Sequence, residues 1–350
     1  MPQIWPPAEP LDDIVAIDLD GDAATDFVAS IRGSLYFLQG GVDVLPGAAP
    51  LVAYSLKNQL TGTEIGLLPV RSPPRILLAE SKRAGTFSLE IRTNGLSEIE
   101  SELTSDGDLE WISVTNDSTI IERSSGVTST VRLTPAGEFD TSSRTELLPP
   151  EGGWSDESLA AEYSSGGERK LVLASPTRVI QTSLDVLPIG ASWEVVRGDG
   201  TWEAQTYVGP ESGLGDGFVG VVNEPEPQLC FLSFTSRSAV CGRIGGTGPL
   251  RNSSMIVGHL ETESRLDAVL VYQQGDGQAF QIFSDLRSDS QSLFSASLPV
   301  AVFRQGESPM KVLRGDGLSS RPSVLLVDHT GSFNYCFAVL SGDVTGCATP

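Results

Sequence analysis

The stretch Asp18-Leu19-Asp20-Gly21-Asp22-Ala23-Ala24-Thr25-Asp26 decides how the rest of the chain is read. It places carboxylates at positions 1, 3, 5 and 9 of a short loop. Carboxylates crowded this closely repel one another, and a hard divalent cation removes the repulsion. Calcium suits such a loop because it accepts about six to eight oxygen ligands in a forgiving geometry. Gly21 lets the chain turn sharply between ligands. Ala24 has no side-chain oxygen, so its backbone carbonyl is the natural extra ligand. The expected Ca2+ site is therefore Asp18, Asp20, Asp22, the carbonyl of Ala24, and Asp26. A solvated acidic turn without metal is the plainer alternative.

The flanks decide which kind of loop this is. An EF-hand needs a bidentate Glu at position 12 and a helix on each side; position 12 here is Ala29. The flanking segments, Ile14-Val15-Ala16-Ile17 and Phe27-Val28-Ala29-Ser30-Ile31, are β-branched and aromatic and read as strands. A metal-bound turn between two strands resembles the FG-GAP repeat of integrin α-subunit propellers and related bacterial propellers. There a D-x-D-G-D-x-x-x-D loop joins the first two strands of a blade. Position 6, often Gly in that family, is Ala23 here. The resemblance implies an all-β fold and a structural calcium ion, and it is nearly silent on ligand.

Strand and turn signals recur along the whole chain with almost no helical periodicity. They divide it into seven units of four short strands, near 14–56, 64–100, 109–148, 158–197, 204–244, 255–302 and 310–348. In the second unit the last two strands are expected at Thr86–Arg92 and Leu96–Glu100, after a turn at Lys82–Gly85. This pattern predicts a single seven-bladed β-propeller of four-stranded blades over residues 1–350. Two stacked β-sandwiches are the competing architecture, because they too consist of short, evenly spaced strands. The sixth unit carries a worn acidic loop, His259 to Asp267, in which His259 replaces the first Asp; it reads as a vestige held by Arg265, with weak metal binding as the alternative.

Four cysteines fall as two equally spaced pairs, Cys230/Cys241 and Cys336/Cys347. Each pair straddles a plausible hairpin, where opposed residues sit at distances compatible with a disulfide. The expected links are Cys230–Cys241 and Cys336–Cys347, and such links imply an oxidising compartment. Four buried thiols are the alternative.

The net charge of −22 sets the chain against phosphate backbones, so nucleic acid is not an expected partner. No apolar run approaches membrane-spanning length, so no membrane insertion is expected. The first residues, Met1-Pro-Gln-Ile-Trp-Pro-Pro, do not form a signal peptide. With disulfides expected, the localisation expected is secreted, periplasmic or cell-surface, with any leader already removed.

Propeller ligands usually bind on the face made by the connectors between blades and by the loops between second and third strands. There this phasing collects Trp154, Arg197, Asp199 and Trp202 as candidate ligand-binding residues. Arg197-Gly198-Asp199 spells a tripeptide that many integrins recognise, although Gly and Asp are also ordinary turn residues. Trp154 and Trp202 could stack on sugar rings, with Asp156 and Glu203 accepting hydroxyl hydrogen bonds; packing between blades is the plainer reading for both indoles. No G-x-S-x-G, H-E-x-x-H or cysteine metal motif appears, so no catalytic residue is expected. The function expected is a binding or adhesion module with a protein partner. The alternatives are a glycan-binding lectin and, more weakly, a polysaccharide-cleaving enzyme.

Overall fold

In the computed structural model, the strands named below pair antiparallel throughout. The residues described are 13–19, 26–31, 34–38, 52–55, 64–71, 74–80, 83–87, 89–90, 95–96, 101–104, 108–116, 119–148, 159–185, 194–197, 202–223, 226–245, 250–259, 264–274, 277–289, 292–303, 309–315, 323–328, 333–336 and 347–348. They form seven four-stranded sheets and one two-stranded ribbon. Every four-stranded sheet follows chain order from its first strand to its last, and the ribbon interrupts only the second.

The first strands of successive sheets touch one another. Asp13–Ile17 meets Glu64–Arg71, which meets Leu109–Val114, which meets Leu159–Ser165. The series continues through Trp202–Val208, Arg251–Gly258 and Pro309–Gly315, and the last of these contacts Asp13–Ile17. The sheets therefore fan about their first strands, which is the β-propeller arrangement, and are not stacked as a sandwich.

The core lies between the sheets, and sequence neighbours split across it. Ile120 packs toward the second sheet with Leu77 and Val70, while Ile121 packs toward the fourth with Ala160 and Leu171. Phe218 faces Tyr163 and Phe234, while its neighbour Val219 faces Ala268 and Leu270. Side chains alternate along a strand, so a sheet buried on both faces needs apolar residues in unbroken runs. Gly217-Phe-Val-Gly-Val-Val222 is buried at every position. Where the chain must reverse in two residues, Gly166 and Gly167 take φ of 62° and 83°. Both angles belong to the tight hairpin turn whose twist matches that of the flanking strands.

The second sheet differs from the expected strand boundaries. Its third and fourth strands are Arg83–Phe87 and Ser101–Thr104. The segment expected to supply them instead folds on itself as the ribbon Leu89–Glu90 with Gly95–Leu96, and Gly95–Leu96 lies against Val52–Ser55 of the first sheet. Asn94-Gly95 is a hairpin signal, and extended propensity says nothing about which neighbour a strand will choose.

Cys230 and Cys241 are directly opposed in the third and fourth strands of the fifth sheet and form a disulfide with Cα atoms 4.1 Å apart. Cys336 and Cys347 are opposed in the same way in the seventh sheet.

Candidate functional site

The loops joining first to second strands run 18–25, 209–216 and 259–266 in the first, fifth and sixth sheets, equal in length. Their closing pairs are equivalent: Ile17 opposes Asp26, Val208 opposes Gly217, and Gly258 opposes Asp267. The three loops thus share one frame.

In the first sheet, register brings the two ends of the acidic loop together at the Ile17–Asp26 pair. Asp18 is half-buried and Asp26 is fully buried, its Oδ2 accepting the Leu19 N–H at 2.8 Å. Hard carboxylate oxygens at both ends of a closed loop fit calcium chemistry. Asp20, Asp22 and Ala24 lie outside the described residues, and among the described residues no group of three or more metal-ligating side chains converges.

In the fifth sheet the loop is filled by apolar packing. Pro210–Ser212 forms a 3-10 turn, Leu214 is buried beneath it, and Tyr207 donates its hydroxyl to Asp216 Oδ1 at 2.9 Å. In the sixth, residues 260–263 lie outside the described residues, and hydrogen bonds sit at the two ends of the loop. His259 Nδ1–H donates to the Arg265 carbonyl at 2.9 Å, and Asp267, fully buried, accepts the Asp285 N–H at 2.9 Å. Arg287 pairs with Asp285, and that hydrogen bond, with Arg265 adding to it, holds the Asp285 carboxyl below the usual carboxylate range.

At the opposite end of the sheets, the connector between the fourth and fifth carries the residues expected to meet a ligand. Trp202 does not offer its face to a sugar. It is 2 % exposed, its backbone N–H donates to the Pro176 carbonyl, and its ring packs in the cluster between these two sheets. Gly220 makes the room: a Cβ there would sit 2.8 Å from indole Cε3. Arg197 lies over the same indole, 5.1 Å from its centroid, as a cation–π contact. This first residue of the Arg-Gly-Asp tripeptide thus packs on its own fold. Glu203 is likewise engaged, accepting from Asn223 Nδ2 and from Ser253 Oγ at 3.1 Å each, which ties the fifth sheet to the sixth. Trp154 and Asp199 lie outside the described residues.

Polar links that sequence reading passed over join other sheets. Glu162, 1 % exposed, accepts from Thr115 Oγ1 of the third sheet and from Arg169 Nη2, both at 2.8 Å. A charged residue inside the otherwise apolar run 159–163 was the available signal, since a carboxylate is buried only with partners. From Tyr163 a chain runs outward through Gln181 and Glu194 to Arg237 of the fifth sheet. Burial pushes the Tyr163 phenol up, and the bond from Gln181, aided by Arg237, holds Glu194 below its usual range.

Comparison with solved structures gives the fold. Similar chains include BBS1N in its complex with ARL6DN (TM-score 0.58, 9% identity, covering 96% of this chain and 94% of that one). Another is the Dos1 propeller (TM-score 0.50, 12% identity, 94% and 81%). A third is the dihydro-heme d1 dehydrogenase NirN in complex with DHE (TM-score 0.53, 10% identity, 97% and 63%). No family model matches the chain, and no curated protein matches it in sequence. Among the described residues no helix is long and apolar enough to cross a membrane.

Proposed function

We propose that this chain is a closed seven-bladed β-propeller of the FG-GAP type that serves as a protein-binding scaffold and holds one Ca2+ in the Asp18–Asp26 loop. The observation that carries the reading is the succession of touching first strands, in which Pro309–Gly315 meets Asp13–Ile17. Such a ring leaves few strand edges open and presents its loops as two broad surfaces. The similar BBS1N chain was solved with a protein bound, which supports a protein ligand here. A net charge of −22 favours a partner of positive potential. The burial of Trp202 and the engagement of Glu203 count against a sugar site at that connector. The Cys230–Cys241 link supports an oxidising setting, secreted, periplasmic or at the cell surface.

The test is affinity capture on the immobilised chain, followed by titration of each captured protein after purification. Saturable one-to-one binding that weakens with salt is expected. Selective binding on a glycan array with no saturable protein partner would replace the scaffold by a lectin, and turnover of a polysaccharide would replace it by an enzyme.

Calcium makes a separate prediction. Removing an ion present at about a hundred times its dissociation constant costs roughly 2.7 kcal/mol of stability. A chelator should therefore lower the melting temperature, and Asp20→Ala should do the same and make the chelator redundant. Unchanged melting curves in both experiments would retire the site.

A further inference from the structure

We infer that the Cys230–Cys241 disulfide is a redox-sensitive clasp that keeps the outer strands of the fourth and fifth sheets together. Glu194–Arg197 and Ala239–Arg243 are the fourth strands of their sheets, and each pairs with one neighbour only. A strand held by a single ladder is where a sheet opens first. The disulfide sits on the face of the fifth sheet that abuts the fourth. Cys230 is buried and Cys241 half-buried in one cluster with Val179 and Val196 of the fourth sheet. Because the two cysteines are directly opposed, their link fixes the register of the outer strand and with it the turn 234–238.

That turn reaches across to the fourth sheet. The Phe234 ring lies 5.1 Å from that of Tyr163, and Arg237 pairs with Glu194. Arg237 takes φ of 54°, a left-handed conformation that an arginine rarely adopts unless its surroundings hold it. Its backbone N–H donates to the Ser233 carbonyl at 2.9 Å, and its guanidinium donates to Glu194, which also accepts from Gln181 Nε2. The cross-link, the turn and the neighbouring outer strand therefore form one mechanical series. The clasp is independent of what the propeller binds.

A small external thiol of the glutathione class opens it. The thiolate attacks Sγ of Cys241, the half-buried member, giving a mixed disulfide while Cys230 leaves and takes up a proton. A second thiol attacks the external sulfur of the mixed disulfide, releasing Cys241 as a thiol and the reductant as its oxidised dimer. Two electrons and two protons pass to the protein, and the outer strand then keeps its backbone ladder without the cross-link.

The test is hydrogen exchange of the full chain at short labelling times, where it reports local opening. It compares oxidised wild type, wild type in reduced glutathione, the Cys230→Ala/Cys241→Ala double variant, and oxidised Arg237→Ala. Alkylation and peptide mapping count the thiols freed at positions 230 and 241. In reduced wild type and in the double variant, segments 194–197 and 239–243 should exchange at least about tenfold faster, since the cross-link no longer constrains the outer strand. Segments 119–124 and 267–274, second strands of the third and sixth sheets, should stay as protected as before. Arg237→Ala should quicken 194–197 by about two- to fivefold, the range for an exposed ion pair, and leave 239–243 unchanged.

Unchanged exchange at 194–197 with both thiols alkylated would overturn the clasp. Equal acceleration at 119–124 would overturn it too, as a general loosening, and so would wild-type exchange at 194–197 in Arg237→Ala. Failure of reduced glutathione to free Cys230 and Cys241 would overturn the sensitivity to redox state. If the double variant does not fold, reduced wild type and Arg237→Ala decide.

Discussion

Phe234→Ala is expected to lower the stability of the protein by about 3–5 kcal/mol, the range for deleting a large buried aromatic side chain. Phe234 is 1 % exposed and sits in the turn after the third strand of the fifth sheet. Its ring meets Phe218 edge-on at 4.7 Å, Tyr163 at 5.1 Å and Tyr207 at 6.3 Å. Tyr163 belongs to the fourth sheet and the other two to the fifth, so the ring is shared across the boundary between them. Truncation would leave a cavity walled by strands from two sheets that cannot collapse independently. Val195→Ala, at a position 59% exposed, serves as control and should change stability by less than about 0.5 kcal/mol. Denaturant titrations of both variants measure the difference. Equal midpoints would mean that the boundary between these sheets is not held by this cluster.

The second large effect concerns the cysteines. Replacing Cys230 and Cys241 together by Ala should cost about 3 kcal/mol, from the loop-closure entropy returned to the unfolded chain. The link closes a hairpin with a sequence separation of 11, and Cys230 itself is buried in the cluster containing Phe234. Wild type under reducing conditions should approach the stability of the double variant. Peptide mapping without reductant should find 230–241 and also 336–347, where the backbone register already opposes the two residues. A peptide joining one pair to the other would contradict the strand pairing of the fifth and seventh sheets.

The sequence made the all-β class legible for a physical reason. A sheet covered on both faces needs runs such as 217–222, and turns such as Gly166-Gly167 need residues free to adopt positive φ. Which extended segment joins which sheet was less legible. Leu89–Glu90 and Gly95–Leu96 have the strand character expected of blade strands, and only pairing energies send them into a ribbon of their own. At the candidate sites the limit was of another kind. The calcium chemistry proposed for the acidic loop rests on its spacing. Trp202, by contrast, has the same amphipathic indole whether it greets a ligand or fills a core. The clue lay across the sheet in Gly220, since a glycine inside a strand marks a close approach by another group.

Because each four-stranded sheet is completed by strands in chain order, all of its interstrand hydrogen bonds fall within one continuous segment of polypeptide. A pulling force applied across the residues that flank one sheet would load that sheet alone and unzip it strand by strand, while its neighbours felt only the loss of a side wall. Extension under tension would then proceed in discrete steps, each releasing one sheet's worth of chain.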